Sequence, residues 1–486
     1  MKFFSLHYFK GLFASLKTND FFDTLLHSKN YFLIQVATGG LSLIALPIYT
    51  SILTKEEYGY ISLYTAFVSI LIPIITINTH SSISRYYYEE NADFDIFLGN
   101  TIMLSSSIAF FFSLIILIFY SSIAEFAEIP LSFPILIIIN IVIHIIKSIY
   151  LQILIPLKES SKIAKLEVSS LYLRFIFSVI LILSIKEQKY FGYIYASIFV
   201  GSIYSIYYVF QIVKLSQWKF NSDHLTYIFN YSVPLLFYSL GGAVLIQIDR
   251  IILNDLTNRE AVAIYSAGYN IANIISFIIS ATYASSTPVL FKYLNSGNYK
   301  ATDKLIIQVF SVSLLFAFIL ISFSDLATSI LLNEDYIEAT PIIVFVVIGL
   351  VFFSAFNIYA RYLSFEKKTI YLTITMIISC VINIFANYVL IPKMGIIGAA
   401  ITTMISYVIL FLLSWFVLKY IIKTRITSII KIIYPLSIFL VYLLLDRYIQ
   451  RIEFTFLKFC IKIILIIFLT ATLFKNEIKI LIQINK

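Results

Sequence analysis

Charge is scarce in this sequence. Asp, Glu, Lys and Arg make up 13% of its 486 residues, about half of the ~25% usual in a soluble domain. Apolar residues reach 60% and mean hydropathy is +0.93, a balance that excludes a water-soluble fold of this length. Cysteine is nearly missing too: Cys380 and Cys460 both lie inside apolar stretches, where they read as small packing residues, so neither a disulfide framework nor a cysteine metal site is expected. The sequence has no phosphate-binding glycine loop, dinucleotide fingerprint, histidine-rich zinc motif or nucleophile elbow. These absences exclude an ATPase or hydrolase built on those motifs, and neither a cofactor nor a metal is expected. The net charge of +9 is spread over short connectors and forms no basic tract, which argues against a nucleic-acid partner and for a membrane orientation signal.

What the sequence does have is apolar runs, each long enough to cross a hydrocarbon layer about 30 Å thick. Runs such as Ile135 to Ile139 and Ile461 to Leu469 are nearly continuous. They lack the alternation of a membrane β-barrel, so every crossing should be helical. The reading is an all-α polytopic membrane protein of about 14 transmembrane helices. The spans fall at about 30–50, 60–80, 97–120, 133–156, 164–185, 190–213, 228–252, 263–291, 303–323, 337–361, 369–391, 394–418, 428–446 and 453–474, with twelve spans as the alternative. No connector is long enough to form a soluble catalytic domain.

Lys158, Lys162, Lys367, Lys368, Lys419, Lys423 and Arg425 fall in connectors on one side, whereas the stretches Glu125–Glu128 and Asp325–Glu338 on the other hold no basic residue. By the positive-inside rule both termini are cytoplasmic. Arg447, Arg451 and Lys458 run against that rule in the last external loop. Residues 1–29 form a cytoplasmic segment with no cleavable signal, suited either to a basic amphipathic helix on the inner leaflet or to a solvated tail.

Sliding the chain against itself reveals a repeat. Asn30-Tyr31 answers Asn230-Tyr231, Gly39-Gly40 answers Gly241-Gly242, Leu53-Thr54 answers Leu256-Thr257, and Ser81-Ser82 answers Ser285-Ser286, with the offset drifting from 200 (230 − 30) to 204 (285 − 81). Shared order and spacing point to two six-helix repeats plus two C-terminal helices. The expected units are a first bundle over 30–213, a second over 228–418, an additional pair over 428–474 and a cytoplasmic tail over 475–486. Two bundles of even span number share one orientation, with the substrate between them.

Ionisable residues inside spans mark function, because an Arg or Lys at mid-bilayer costs about 2.5–3.5 kcal/mol on insertion scales and faces an interior. Arg174 sits mid-span on one helical face with Glu167, Ser170 and Ser178. In the preceding span Asn140, His144 and Lys147 form a second polar stripe. Together these predict an anion site. The alternative is a structural Arg174–Glu167 pair with Lys147 reaching to the interface. Arg85, beside Tyr86, Tyr87 and Tyr88, and Arg361, on the face of Ser354 and Asn357, would border a cytoplasmic vestibule or anchor their spans. Asp249 and Arg250 close the seventh span as a gate or an ion pair. Glu167 and His144 complete the candidate coupling groups. Ser266, Asn270, Asn273, Phe277 and Ser280, and separately Ser379, Asn383 and Asn387, give uncharged stripes fit for sugar hydroxyls or for helix contact.

Three stretches carry a family resemblance. Leu46-Pro47 with Leu53-Thr54-Lys55-Glu56-Glu57-Tyr58-Gly59-Tyr60 resembles the first-loop pattern of polysaccharide exporters, and Ala263-Ile264-Tyr265-Ser266-Ala267 is similar to their eighth-span opening. The most specific is NIFANYVLIPKMGIIGAAIT, from Asn383 to Thr402. The chain thus resembles the Wzx-type oligosaccharide repeat-unit flippases of the MATE-like exporter superfamily. That resemblance implies alternating-access movement of undecaprenyl-diphosphate-linked O-antigen or capsule units across the bacterial cytoplasmic membrane, and no enzyme activity. It implies as partners the polyprenyl-diphosphate-linked oligosaccharide, membrane lipids, a polysaccharide polymerase and a chain-length regulator. The family's cationic lumen maps by chemistry and depth onto Arg85, Lys147 and Arg174. A drug or lipid II exporter of the same superfamily is one alternative, and a membrane-embedded O-antigen polymerase or glycosyltransferase is another.

Overall fold

Inside hydrocarbon no water can bond a peptide group, so each apolar run must satisfy its own backbone. The computed structural model describes residues 19–89, 93–449 and 455–475, with no β-strand among them. The helices are α1 (Asn19–Ile52), α2 (Lys55–Thr76), α3 (Ser81–Tyr86), α4 (Phe94–Ile118), α5 (Tyr120–Phe126), α6 (Phe133–Leu154), α7 (Ser160–Ser184), α8 (Tyr190–Leu215), α9 (Ser222–Leu256), α10 (Arg259–Ala272), α11 (Ile274–Asn295), α12 (Tyr299–Ser322), α13 (Ser324–Leu331), α14 (Thr340–Phe365), α15 (Ile370–Phe416), α16 (Ile429–Ile449) and α17 (Thr455–Leu473). Residues 1–18 of the expected N-terminal segment lie outside the described residues, as do Arg451 and nearly all of the tail; from Asn19 the chain is already in α1. The second span stops at Thr76, where Ile77 and Asn78 turn left-handed, so Arg85 belongs to the separate short helix α3.

Among the described residues, thirteen helical stretches are long and apolar enough to cross a membrane. Two expected spans merge in the 47-residue α15, which would be about 70 Å long if straight. It is not straight. Gly395 has φ 55° and ψ −134°, and the Thr402 hydroxyl donates to Asn387 Oδ1 over 2.6 Å, although 15 residues of one straight helix would hold them about 22 Å apart. The chain doubles back at Gly395, so α15 is two antiparallel segments, each of membrane-spanning length. Large apolar side chains such as Phe110, Phe111, Phe210 and Leu444 point outward, which suits acyl chains and not water.

Helix α2 packs on α4, α6 and α8 on one side and on α9 and α10 on the other. Helix α1 packs on α7 and meets α10 and α11, while α14 packs on α10, α12 and α15. The C-terminal pair α16–α17 leans on α12. There the buried Lys462 ammonium donates to the Ser322 carbonyl and lies 5.5 Å from the Phe323 ring centre, with Asp446 buried in the same helix pair.

Replacing Gly395 by Ala should destabilise the hairpin by about 1–3 kcal/mol, the cost of forcing a side chain into a sparsely allowed backbone region. No neighbouring atom would touch the new methyl group, so the loss comes from the backbone alone. A lowered thermal transition of the detergent-purified protein is expected; an unchanged one would show that the turn is unstrained.

Candidate functional site

Between α1, α2, α7 and α8 on one side and α9, α10 and α11 on the other lies a cavity of about 330 Å³, within the ~300–1,000 Å³ range of small-ligand sites. Its wall carries hydroxyls from Ser42, Ser62, Thr65 and Ser178, amides from Gln247, Asn270 and Asn273, and rings from Tyr49, Tyr193 and Phe277. Among the described residues, the charged side chains that line it are Arg174 and Arg250, with no carboxylate.

Arg174 reaches this wall because α7 packs on α1 and α8. Its Nε donates to the Ser170 carbonyl over 3.3 Å, and among the described residues no carboxylate lies within ion-pair distance of it. The Arg174–Glu167 pairing is replaced by another: the Lys147 ammonium stands 2.8 Å from Glu167. Helical periodicity puts Glu167 and Arg174 on one face, but α6 brings the Lys147 ammonium directly against that carboxylate. Lys147 is therefore neutralised and Arg174 is free.

Arg250 sits on the opposite wall. It is 5% exposed, donates from Nε to Ser266 Oγ (3.1 Å) and from Nη1 to the Ile246 carbonyl (2.6 Å), and lies over the rings of Tyr269 (4.7 Å) and Tyr265 (5.7 Å). It makes no ion pair with Asp249, since successive helical side chains diverge by about 100°. Asp249 turns into the second half instead. Fully buried, it accepts from Tyr265 Oη (2.5 Å), Thr403 Oγ1 (2.5 Å) and Asn387 Nδ2 (2.7 Å). Asn387 Nδ2 also donates to Asn383 Oδ1 (3.1 Å), while Asn383 Nδ2 has no hydrogen-bond partner among the described residues. The Asn383–Asn387 stripe thus serves this carboxylate, whereas Ser266, Asn270, Asn273 and Phe277 of the other stripe line the cavity.

The remaining candidates stand apart from the cavity wall. The Arg85 side chain is 61% exposed and pairs with Glu89 at 3.6 Å. Arg361 is buried against α11, donating to Ser286 Oγ (3.0 Å) under the Tyr283 ring (4.3 Å). His144 is beside Ser148 (3.3 Å) and 6.5 Å from the His80 ring, facing a smaller pocket behind Arg174. Tyr49, Tyr193, Gln247 and the cavity-facing side of Arg250 gave no signal in sequence, because helix phase about a cavity depends on tertiary packing.

The Leu53-Thr54 and Leu256-Thr257 turns meet next to Tyr58 of the cavity wall. Thr54 and Glu57 form a capping box, and Asn258 caps α10 through the Ala261 N–H (2.8 Å). Arg259 then joins the start of α10 to α2 and to the segment after α5: Nη1 is 3.7 Å from Glu56, Nη2 donates to the Glu128 carbonyl (2.8 Å), and the guanidinium lies 4.7 Å over the Tyr60 ring. Gly59 makes this approach feasible, since a Cβ there would stand 2.3 Å from the Arg259 carbonyl oxygen. Deeper in, Asn270 donates to Tyr58 Oη over 3.0 Å.

A family described as polysaccharide biosynthesis protein matches residues 30–294, more than half of the chain. The chain belongs to that family. A second family, MatE, matches residues 234–389. This family member is 25% identical over 405 residues to an uncharacterized membrane protein of Methanocaldococcus jannaschii, covering 76% of this chain and 79% of that one. It is also similar to the probable low-salt glycan biosynthesis flippase Agl15 of Haloferax volcanii, 21% identical over 217 residues, or 44% of this chain and 46% of that protein. Its fold is similar to the lipid II flippase MurJ in an inward closed conformation, with TM-score 0.64 and 17% identity over 93% of this chain and all of the other. The polysaccharide biosynthesis family member is thus a multi-pass membrane protein with a MurJ- and MATE-like fold.

Two outcomes follow from this geometry. Asp249→Ala removes the acceptor that three buried donors share, and although Asn387 Nδ2 keeps Asn383 Oδ1 and Thr403 Oγ1 keeps the Ala399 carbonyl, a buried group that loses its partner costs about 1–3 kcal/mol, so the unfolding midpoint should drop; an unchanged midpoint would contradict the network. Replacing Gly59 by Leu should pry α2 from α10 and raise labelling of a cysteine placed at Ser62 by a membrane-impermeant thiol reagent. Equal labelling in both backgrounds would show that these turns do not close the cavity.

Proposed function

We propose that this protein is a flippase, moving a polyprenyl-diphosphate-linked oligosaccharide from the inner to the outer face of the cytoplasmic membrane for surface polysaccharide of O-antigen or capsule type. The observation that carries this reading is a wall-to-wall contrast of charge. Two guanidiniums from opposite halves face a chamber lined by hydroxyls, amides and rings, with no acidic side chain among its lining residues. A guanidinium keeps its charge when desolvated and binds phosphate oxygens through a planar fork, so Arg174 holds the diphosphate while Gln247, Asn270 and Asn273 meet sugar hydroxyls. The polyprenyl chain stays in lipid. Arg250, held by Ser266 and two rings, is the second anion contact, so one head group can bridge the halves as they rock.

With both termini cytoplasmic, the turns joined by Arg259 form the outer gate. An inside-negative potential favours outward movement of an uncompensated negative head by about 2.3 kcal/mol per charge per 100 mV. Asp249 is the coupling carboxylate: buried on α9, without an ion-paired base, and held by side chains of α10 and both arms of α15, it can take up and release a proton or a monovalent cation as those helices shift. Lys147, paired with Glu167, serves the first half as a structural element beside Arg174. Arg85 and Arg361 act at the cytoplasmic end, outside the chamber.

A deletion strain should accumulate lipid-linked units at the cytoplasmic face. Unpolymerised units on the outer face would select the polymerase reading instead. Arg174→Ala should abolish surface polysaccharide, with membrane abundance near normal, because among the described residues its guanidinium makes a single hydrogen bond, to the Ser170 carbonyl. Full export by that variant would refute the role given to Arg174.

A further inference from the structure

Arg174 lines the central chamber and also a side pocket of about 80 Å³ behind it, enclosed by α6, α7 and α8. Lys147 and Ser170 line that pocket as well, so the two cations share one polar space. Glu167 is held at its rim, with carboxylate oxygens 2.8 and 2.9 Å from the Lys147 ammonium. The pair is not sealed off, since 27% of the Lys147 side chain and 23% of the Glu167 side chain remain exposed. Two pairings are open to Glu167, and they differ in what holds them. Lys147 belongs to α6 and Glu167 to α7, helices that lean on α8 and only slightly on each other. A small shift of α6 along α8 therefore parts them. Arg174 belongs to α7 itself, seven residues (174 − 167) from Glu167, or about 10 Å along the axis. Rocking of the halves leaves that spacing fixed. The Arg174 Nε is already turned back one turn toward Glu167, onto the Ser170 carbonyl (3.3 Å), while Ser170 Oγ donates to the Glu167 carbonyl (3.1 Å).

We propose that Glu167 is the internal anion that displaces the diphosphate from Arg174, with Lys147 as the positioning residue that keeps it away until release. The proposal rests on the reading that Arg174 holds the diphosphate. A guanidinium and a phosphate in a chamber poor in water attract each other strongly, so a carrier that binds this way also needs a means of letting go. No carboxylate is among the described residues that line the chamber. The acid on the Arg174 helix face is Glu167. As the halves rock, α6 carries Lys147 off, and the freed carboxylate draws the guanidinium out of the chamber and into the side pocket. The lipid head then faces a wall from which one cation has withdrawn. The ammonium left behind is hydrated in the pocket, whose volume of about 80 Å³ is several times the ~10–15 Å³ that one water needs. Return of α6 restores the Lys147–Glu167 pair and frees Arg174 for the next head group.

The test follows a fluorescent polyprenyl-diphosphate sugar, read as flipping rate with the full-length protein in vesicles and as affinity and dissociation rate on the purified protein. Glu167→Gln should bind the lipid at least as tightly as wild type yet release and flip it about tenfold more slowly, the scale of one hydrogen bond to a charged group. Lys147→Met should weaken binding by a similar factor, because Glu167 then holds Arg174 throughout. Combining the two substitutions should restore affinity and leave release slow, whereas a pair that only shields Arg174 would recover both together. Lys147→Arg, which keeps the pair, should regain most of the binding that Lys147→Met loses. Should Glu167→Gln fail to reach the membrane, Glu167→Asp, with a shorter reach toward Arg174, carries the same expected loss of rate. Wild-type release by the Glu167 variants, or undiminished binding by Lys147→Met, would overturn the exchange alone. A wild-type protein that moves no charged lipid, or Arg174→Ala that binds it as tightly as wild type, would instead overturn the reading on which the exchange rests.

Discussion

A guanidinium held inside a membrane protein with no carboxylate beside it is the constraint around which this structure is arranged. Arg174 is tolerable there only because the chamber offers polar walls and access for water or an anion, since lipid contact would cost several kcal/mol. The pairing of Lys147 with Glu167 makes this possible: it removes the one acidic side chain on the Arg174 helix face and leaves the guanidinium uncommitted. Free positive charge and absent negative charge are thus two results of one helix–helix contact between α6 and α7.

The second half solves the opposite problem. It buries an acid, Asp249, and satisfies it with three donors drawn from α10 and from both arms of α15. The reversal at Gly395 is what brings Asn387 and Thr403 to the same carboxylate. Arg250, one residue on, is held by Ser266 and two tyrosine rings and is turned to the chamber. A single step along α9 therefore separates a buried anion from a cavity-facing cation.

Much of this was legible in the sequence, and what was not has physical reasons. Apolar runs disclosed the spans because the bilayer fixes their length, and run length alone divides 369–391 from 394–418 where the helix is nominally unbroken. Arg174 stood out because a lone charge at mid-span has few explanations. The partner of Glu167 did not, because periodicity reports neighbours on one helix and not across two. The sequence offers Arg250 as part of a gate or of an ion pair with Asp249, and not as chamber wall, for a similar reason: depth can be counted along a helix, but its rotation about its axis is set by packing. The Asp249 network joins residues 138 to 154 positions apart, beyond the reach of any local pattern.

The central claim is that the chamber selects a lipid by the negative charge of its head group. Competition on the purified protein, followed by native mass spectrometry, between a polyprenyl-diphosphate sugar and the same sugar on an uncharged polyprenol tests it most directly. Displacement of the neutral lipid by the charged one is the predicted result. Equal occupancy by the two would contradict the account.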